Sequence, residues 1–397
     1  MTSPLDRIVI VIVGAGPVGL AFALAASRLR DCEITVVERQ ALVSHTLGDK
    51  FDHRVYALSP GSRALLQELD VWKLLDSKRI TPVRAMQVFG DANQDGDGGE
   101  IDFSQGSPLA FIVEHAALMN ALYAAVSAKC EHIKVIDKTE VAAIDFIGVA
   151  GTVEVSLAGH ARLEAELLVA ADGGMSRVRA MAGIDTRVKD YDSDGVVANF
   201  HTEHGHGGVA RQWFSAQGVL AWLPLPGNQV SIVWSVTAGR AKELEGLDDA
   251  AFSVAVADAG NHALGGLSLS SSRARIPLKR VSAAQWVRPG LVLIGDAAHS
   301  IHPLAGQGAN LGFADVAMLF KVLRDRVPLS RPGDLALLRR YERACREDAL
   351  AMGEITDGLR SLYLSDAILA KVVRRDGLNL VNRLSATKAM LIARAIK

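Results

Sequence analysis

The sequence predicts an α/β protein: a nucleotide-binding domain on a parallel sheet, an inserted and mostly antiparallel β-sheet, and a C-terminal helical region. Three observations carry the prediction. Residues 8–38 run strand, glycine-rich turn, helix, strand, acid. Residues 291–315, LVLIGDAAHSIHPLAGQGANLGFAD, run apolar strand, polar loop, glycine-led helix. Between them, residues 195–236 switch to short runs with the two-residue alternation of half-buried strands.

Ile8 to Val13 is apolar and β-branched, which suits a buried strand. Gly14-Ala15-Gly16-Pro17-Val18-Gly19 matches GxGxxG, and Leu20 to Leu29 reads as a helix. In such a turn the first glycine bends the chain. The second lets a pyrophosphate approach, and the third lets the helix pack closely. Ile34 to Val37 is a second strand ending at Glu38, whose carboxylate can hold both ribose hydroxyls of an adenosine; Arg39 follows it. An acid at that point argues against a ribose phosphate and leaves FAD and NAD both open.

After a polar loop, Asp52-His53-Arg54 leads toward a helix with Ser59 as N-cap and Pro60 at the first helical position. Arg54 is a candidate cofactor contact because its loop lies beside the nucleotide half. Met86 to Phe89 is a strand. Asp91 to Glu100 has EF-hand-like spacing, but Asp102 stands at the twelfth position and no helices flank it, so a hairpin tip is the reading. Glu114 to Lys129 is helical. Lys134 to Ile136, Val141 to Ile144 and Val153 to Leu157 are expected to form one small antiparallel layer. Leu167 to Ala171 is an apolar strand running into Asp172-Gly173.

In the alternating region, strands are expected at 196–200, 211–214, 219–223 and 230–236, with Leu223-Pro224-Leu225-Pro226 as a break. Trp213, Trp222 and Trp234 fall here. The apolar face is either an ordinary core or a seat for an aromatic or lipid-like substrate. His201, His204 and His206 do not all share one strand face, so no metal site is assigned. Asp248 to Ala259 is a surface helix, and 273–281 leads back to the second motif. There Leu291 to Ile294 is a strand with Asp296 at its carboxyl end, where ligands bind in open α/β sheets. Pro303 breaks the chain. Gly306-Gln307-Gly308, followed by Ala309 and Asn310, opens an apolar-periodic helix whose N-terminus favours negative charge. His299 and His302 are read as structural, and no catalytic base is named. Asp334 to Leu364 is one or two long helices. Residues 371–397 hold seven Lys/Arg against one Asp, interleaved with apolar residues. Such a tail is either a solvated face over a core stripe or a surface for an anionic membrane.

Length and composition bound the rest. A chain of 397 residues with 49% hydrophobic residues suits two or three domains around a large core. A net charge of −1, without a long basic block before the C-terminus, argues against nucleic acid. Cys32, Cys130 and Cys345 are scattered and odd in number, which fits a reducing compartment. Ile8 to Ala26 is almost wholly apolar, yet its glycines and Pro17 interrupt it, so neither a targeting segment nor a span is read there. A cytoplasmic protein is expected, with peripheral contact at the inner membrane face if the tail binds lipid.

GxGxxG with Glu38-Arg39, then Asp172-Gly173, then GDAAHSIHPLAGQGAN together resemble the flavoprotein aromatic hydroxylases, single-component FAD monooxygenases with the p-hydroxybenzoate hydroxylase fold. DHRVYALSPGSRALLQELDVW, the WF…LPLP…VWS run from Trp213 to Ser235, and the YER…TDGL helix from Tyr341 to Leu359 look like the ubiquinone-biosynthesis branch of that family. The resemblance covers nearly the whole chain. It implies a Rossmann-like FAD-binding domain at 1–80, 100–183 and 285–330, a substrate-binding sheet at 81–99 and 184–284, and helices over 331–397. It also implies that Gly14, Gly16, Pro17, Val18 and Gly19 meet the FAD pyrophosphate, Glu38 and Arg39 the adenosine, and Asp296 the ribityl region. Gly306, Gln307, Gly308, Ala309 and Asn310 would face the pyrimidine edge and Pro303 the ring system, with Arg54 and Asp172 as further contacts. Many relatives carry an Arg at the start of the helix that here begins Glu114-His115-Ala116; this chain has none there. NAD(P)H would be the reductant, dioxygen the oxidant, and a prenylated phenol the ring hydroxylated. A soluble phenol, or a flavin-binding role within a biosynthetic complex, stay open as alternatives.

Overall fold

A computed structural model of the chain describes residues 8–90, 100–104, 106–147, 151–159, 162–215, 217–300 and 307–364. The helices that position the site are α1 (Pro17–Ala26), α2 (Pro60–Glu68), α3 (His115–Ser127), α4 (Arg177–Met181), α5 (Ala238–Gly246), α6 (Asp249–Ala259), α7 (Gln307–Arg324) and α8 (Leu335–Leu364).

The protein is α/β, built on two large sheets. In the nucleotide sheet, Ile8–Val13 pairs in parallel with Cys32–Val37 on one side and Leu167–Ala170 on the other. Leu291–Leu293 and Ile133–Ile136 extend it in parallel at the two ends, and Val287–Arg288 adds an antiparallel edge. Its strands are buried on both faces, as their continuous apolar runs require. Lys134 to Ile136 therefore belongs to this parallel sheet and not to the small antiparallel layer expected from sequence. Its register against 34–37 follows from the crossover through α3. The small layer holds Val141–Ile147, Thr152–Leu157 and Arg162–Ala165.

The second sheet has nine strands, centred on the long strand Thr186–Thr202. Gln229–Thr237, Gly218–Leu225 and Val209–Ser215 follow it as an antiparallel meander. Two sequence expectations change here. Leu223-Pro224-Leu225 is strand and not a break: pairing with 209–215 stops at Trp222, so Pro224 needs a partner on one side alone. Glu100–Ser104 pairs with Ala85–Phe89 in this sheet, while Thr81–Val83 joins a separate three-stranded sheet with Val55–Leu58 and Ala110–Glu114. The strand content thus crosses the 80/81 and 99/100 boundaries drawn from sequence. The EF-hand-like stretch 91–99 lies outside the described residues, as does the basic tail at 371–397.

Trp213, Trp222 and Trp234 are buried under α5 and α6 with Phe200 and Phe252. They form a core on that face, which settles the choice left open by the apolar pattern. The segment 273–281 is strand (Ala274–Ala283), and it pairs with His299–Ser300. The loop after Leu291–Leu293 therefore leaves the nucleotide sheet and enters the second one. Among the described residues, no helix is long and apolar enough to cross a membrane.

Candidate functional site

Four parallel strands end on one edge of the nucleotide sheet, and each delivers a candidate residue there. Ile8–Val13 runs into Gly14, Cys32–Val37 into Glu38, Leu167–Ala170 toward Asp172, and Leu291–Leu293 toward Asp296. The chain leaves the central strand in one direction and returns on its other side, so its end is a topological switch point.

Gly14 has φ of 106°, and a Cβ there would overlap the Ala171 carbonyl. A Cβ at Gly19 would overlap the Gly14 carbonyl oxygen. These two glycines serve the chain's own packing. Gly16 differs, because a Cβ there would meet nothing within 4 Å. It caps α1 without a side-chain bond, and Pro17 follows, so the first-turn amides have no side-chain partner and suit an anion. Val18 packs its side chain between Gly295 and Gly312, where a Cβ would come within 3.2 and 2.6 Å of it. Its backbone N–H is what remains for a ligand. Glu38 holds the loop: its Oε2 accepts from Ala15 N at 2.7 Å, and its Oε1 from Gln40 N at 2.9 Å. Arg39 turns outward toward Glu140, 3.9 Å away, and the structure does not bring it to the crevice.

Asp296 stands on a short 3-10 turn, Gly295–Ala297. It is open to solvent but lies in a recess with protein on most sides. Desolvation pushes its carboxyl above the ordinary carboxylate range, against the pull of His299 and Arg54. Asp315 of α7 clamps the turn from behind. Its Oδ2 accepts from Gly295 N at 2.8 Å and from His299 Nε2 at 2.7 Å. Burial opposes charge on His299, but the Asp315 carboxylate outweighs it and raises the imidazole above its ordinary value. His299, its ring centroid 4.7 Å from that of Trp286 and tilted against it, is thus committed to the fold. Asn310 is committed too: its Oδ1 accepts from Ser59 N and Ser62 Oγ, and its Nδ2 donates to Ala57 O. This fixes the start of α7 to α2, leaving the amides near Gly308 and Ala309 at the helix end. Gln307 is the first residue of α7; Pro303 and Gly306 lie outside the described residues.

Arg54 does reach the recess. Its guanidinium lies 5.8 Å from the Tyr56 ring centroid and acts on Asp296. Tyr56 Oη and His115 Nδ1 are 2.8 Å apart. Burial and Arg54 lower His115 to about 4, so its imidazole is neutral. Asp172 Oδ2 accepts from Arg177 N and Val178 N, while its Oδ1 is buried without a partner among the described residues. Arg179 bridges the two motifs by donating to Gly174 O and Ala297 O.

A recess of about 280 Å³ lies beside this cluster, lined by His45, Asp52, Arg79 and Glu114 among others. Arg79 holds the buried Glu114 through both carboxylate oxygens and reaches the carbonyls of Gly48 and Lys50. The loop that carries Arg54 is thereby tied down. Sequence reasoning missed Tyr56, Arg79, Arg179 and Asp315 as parts of this machinery. Asp315 alone left a trace, as the acid about two turns beyond the glycine-led helix start.

His206 spends its ring on the carbonyls of Leu225 and Gly227 and on Gly208 N. Among the described residues, no group of three or more His, Cys, Asp or Glu could hold a metal. The crevice fits a dinucleotide instead. It has open space at Gly16, an uncapped helix start, an acid on the second strand, and an unsatisfied Asp172 oxygen.

The protein family described as "FAD binding domain" matches residues 7–355. The chain is 31% identical to ubiquinone biosynthesis monooxygenase COQ6, mitochondrial, of Mus musculus, over 98% of this chain and 90% of that protein. It is also 31% identical to 3-demethoxyubiquinol 3-hydroxylase of Escherichia coli, over 98% of each. Among solved structures, PqsL of Pseudomonas aeruginosa, a probable FAD-dependent monooxygenase, matches with a TM-score of 0.76 at 20% identity, over 94% of this chain and 100% of that one. HpxO of Klebsiella pneumoniae complexed with FAD matches with a TM-score of 0.73 at 17% identity, over 98% and 99%.

Proposed function

We propose, from the premise that the chain belongs to the FAD-dependent monooxygenase family of the ubiquinone hydroxylases, that it hydroxylates the ring of a polyprenylated phenol in ubiquinone biosynthesis. The observation that carries the reading is the crevice at the switch point, with Gly16, Glu38, Asp172 and Asp296 on one sheet edge and α7 pinned behind them. The full-length likeness to ubiquinone hydroxylases supports the substrate class.

Gly14, Gly16 and the first-turn amides of α1 would hold the pyrophosphate of FAD, and Glu38 the adenosine ribose. Asp172, Asp296 and Arg54 would flank the middle of the molecule. The amides at Gly308 and Ala309 would meet the pyrimidine edge, where the helix dipole favours negative charge. The bound flavin supplies reducing power from NAD(P)H and activates dioxygen for transfer of one oxygen atom to the ring. The chain's own work is to orient the ring and exclude water. The basic tail supports contact with the inner face of an anionic membrane, where a prenylated substrate resides.

The test begins with the purified protein: a flavin spectrum, FAD affinity by fluorescence quenching, and NADH or NADPH oxidation with a short-chain prenylated phenol. A product one oxygen heavier is expected. A chain that binds FAD but consumes no oxygen with any prenylated phenol would refute the activity. Quinone lipids from a strain lacking the gene should accumulate an intermediate one oxygen short. Binding to vesicles with and without anionic lipid tests the membrane contact.

A further inference from the structure

The nine-stranded sheet has a second face. Ala198, Phe200, Val230, Ile232 and Trp234 alternate into the tryptophan core, so the residues between them point the other way, toward the nucleotide half. The register sets Asn199 opposite Ser231, Ser231 opposite Leu223, and Val233 opposite Ala221. Ala221, Leu223 and Val233 are half-buried, while their neighbours along both strands are buried. They make an accessible apolar floor.

At the edge of that floor, Asn199 and Ser231 are 1% and 0% exposed. Asn199 Nδ2 donates to the carbonyls of Phe51 and Asp52, both at 3.0 Å, in the loop that leads to Arg54. Those two acceptors fix the amide's orientation and leave Oδ1 over. Neither Asn199 Oδ1 nor Ser231 Oγ has a hydrogen-bond partner among the described residues. A buried polar atom left unpaired is costly, because it has given up water without gaining a partner. Two on directly opposed residues of one face, beside an open floor, indicate a group that arrives from outside.

The chemistry of the pair selects that group. Asn199 Oδ1 can accept but not donate, while the Ser231 hydroxyl can do either. A hydroxyl answers both, by donating to Asn199 and accepting from Ser231. A quinone carbonyl or an ether oxygen brings no hydrogen and leaves Asn199 bare. The surrounding floor is neutral, so a carboxylate would lose water there without gaining a cation.

We propose that Asn199 and Ser231 form a subsite for a hydroxyl of a neutral phenol or quinol ring lying on Ala221, Leu223 and Val233. This rests on the hydroxylase reading above and sharpens it: the ring enters reduced and without a carboxylate. The FAD-loaded enzyme is titrated without oxygen against a short-chain prenylated phenol, its matched quinone and 4-hydroxybenzoate, with binding read from the flavin difference spectrum. The phenol should bind at least about tenfold tighter than either, the size of one good hydrogen bond. Ser231→Ala should raise the phenol Kd and KM about tenfold, leave kcat and FAD affinity unchanged, and keep the preference over quinone, which rests on the Asn199 acceptor. Asn199→Ala should raise the phenol Kd about tenfold and erase the preference over quinone, with some loss of stability and of FAD affinity because the Phe51–Asp52 loop that leads to Arg54 is freed. Equal phenol affinity in wild type and Ser231→Ala, or equal affinity of wild type for phenol and quinone, overturns the subsite while the hydroxylase reading stands. Failure of every phenol to perturb the bound flavin overturns both.

Discussion

Asp315→Asn tests the claim that α7 holds the Asp296 turn in place. In the native chain one carboxylate oxygen takes two hydrogen bonds, from Gly295 N at 2.8 Å and His299 Nε2 at 2.7 Å. His299 and Asp315 side chains are 7% and 2% exposed, so little solvent would replace what is lost. Removing one partner of a buried pair costs about 3–5 kcal/mol, because the other charge is left alone. Asparagine keeps an acceptor for Gly295 N but not the charge, which puts the expected loss near the lower figure, about 3 kcal/mol; alanine loses both and belongs near the upper. The pH dependence should change sign. With Asp315 present, His299 titrates above its ordinary value, so the pair's stability is full below that value and fades as pH rises through the raised one. Without Asp315, burial is opposed at His299 only by the smaller pull of Asp296, and stability should instead fall as pH drops below the ordinary value. Urea denaturation from pH 5 to 8, with FAD affinity at each pH, reads both effects. A loss under about 1 kcal/mol, or an unchanged slope with pH, would refute the role of Asp315.

The glycine loop offers a paired test. Gly19→Ala should destabilise the fold, since its Cβ overlaps the Gly14 carbonyl, whereas Gly16→Val should fold normally and weaken FAD at least about tenfold; equal folding defects would refute the division of labour. Asp357 accepts from Lys189, Tyr191 and Arg280, fastening α8 to the second sheet. Burial opposes its charge, but those donors win and hold it below the usual carboxylate range. Its stability should therefore be present above the ordinary carboxylate value and lost as pH falls through the lowered one, and an Asp357→Asn protein that unfolds in acid like wild type would contradict this. His115, held to about 4, should stay neutral through physiological pH. Its nuclear magnetic resonance titration should show no step between pH 5.5 and 8, and a midpoint near 6.5 would place it in open water.

Much of the nucleotide half was legible because local pattern and tertiary role coincide there. Ile8–Val13, the glycine turn and Glu38 lie within one βαβ unit, and each residue's job is set by its immediate neighbours. The strand 133–136 was misassigned for the opposite reason. Nothing in four residues says whether their partner is the next strand in sequence or one a hundred residues earlier, and here it is 34–37. Pro224 misled because a proline rules out a strand position only where a neighbour on its N–H side needs the donor, and whether such a neighbour exists is not written locally.

The candidate site divides along the same line. Residues that meet a ligand through backbone or by standing at a strand end could be named from motifs. Residues that position them could not, because each acts across the chain: Asn310 on Ser59, Arg179 on Ala297, Arg79 on Glu114. Asp315 and Asn310 sit on one helix and reach opposite sides of it, one to the Asp296 turn and the other to the start of α2. With Val18 wedged between Gly295 and Gly312, α7 binds together α1, α2 and the end of the Leu291–Leu293 strand. That arrangement explains why the second motif carries so many small residues. They are the clearances that let a helix stand close to three partners, and a bulkier residue at Gly312 would push α1 away from the crevice without touching any ligand.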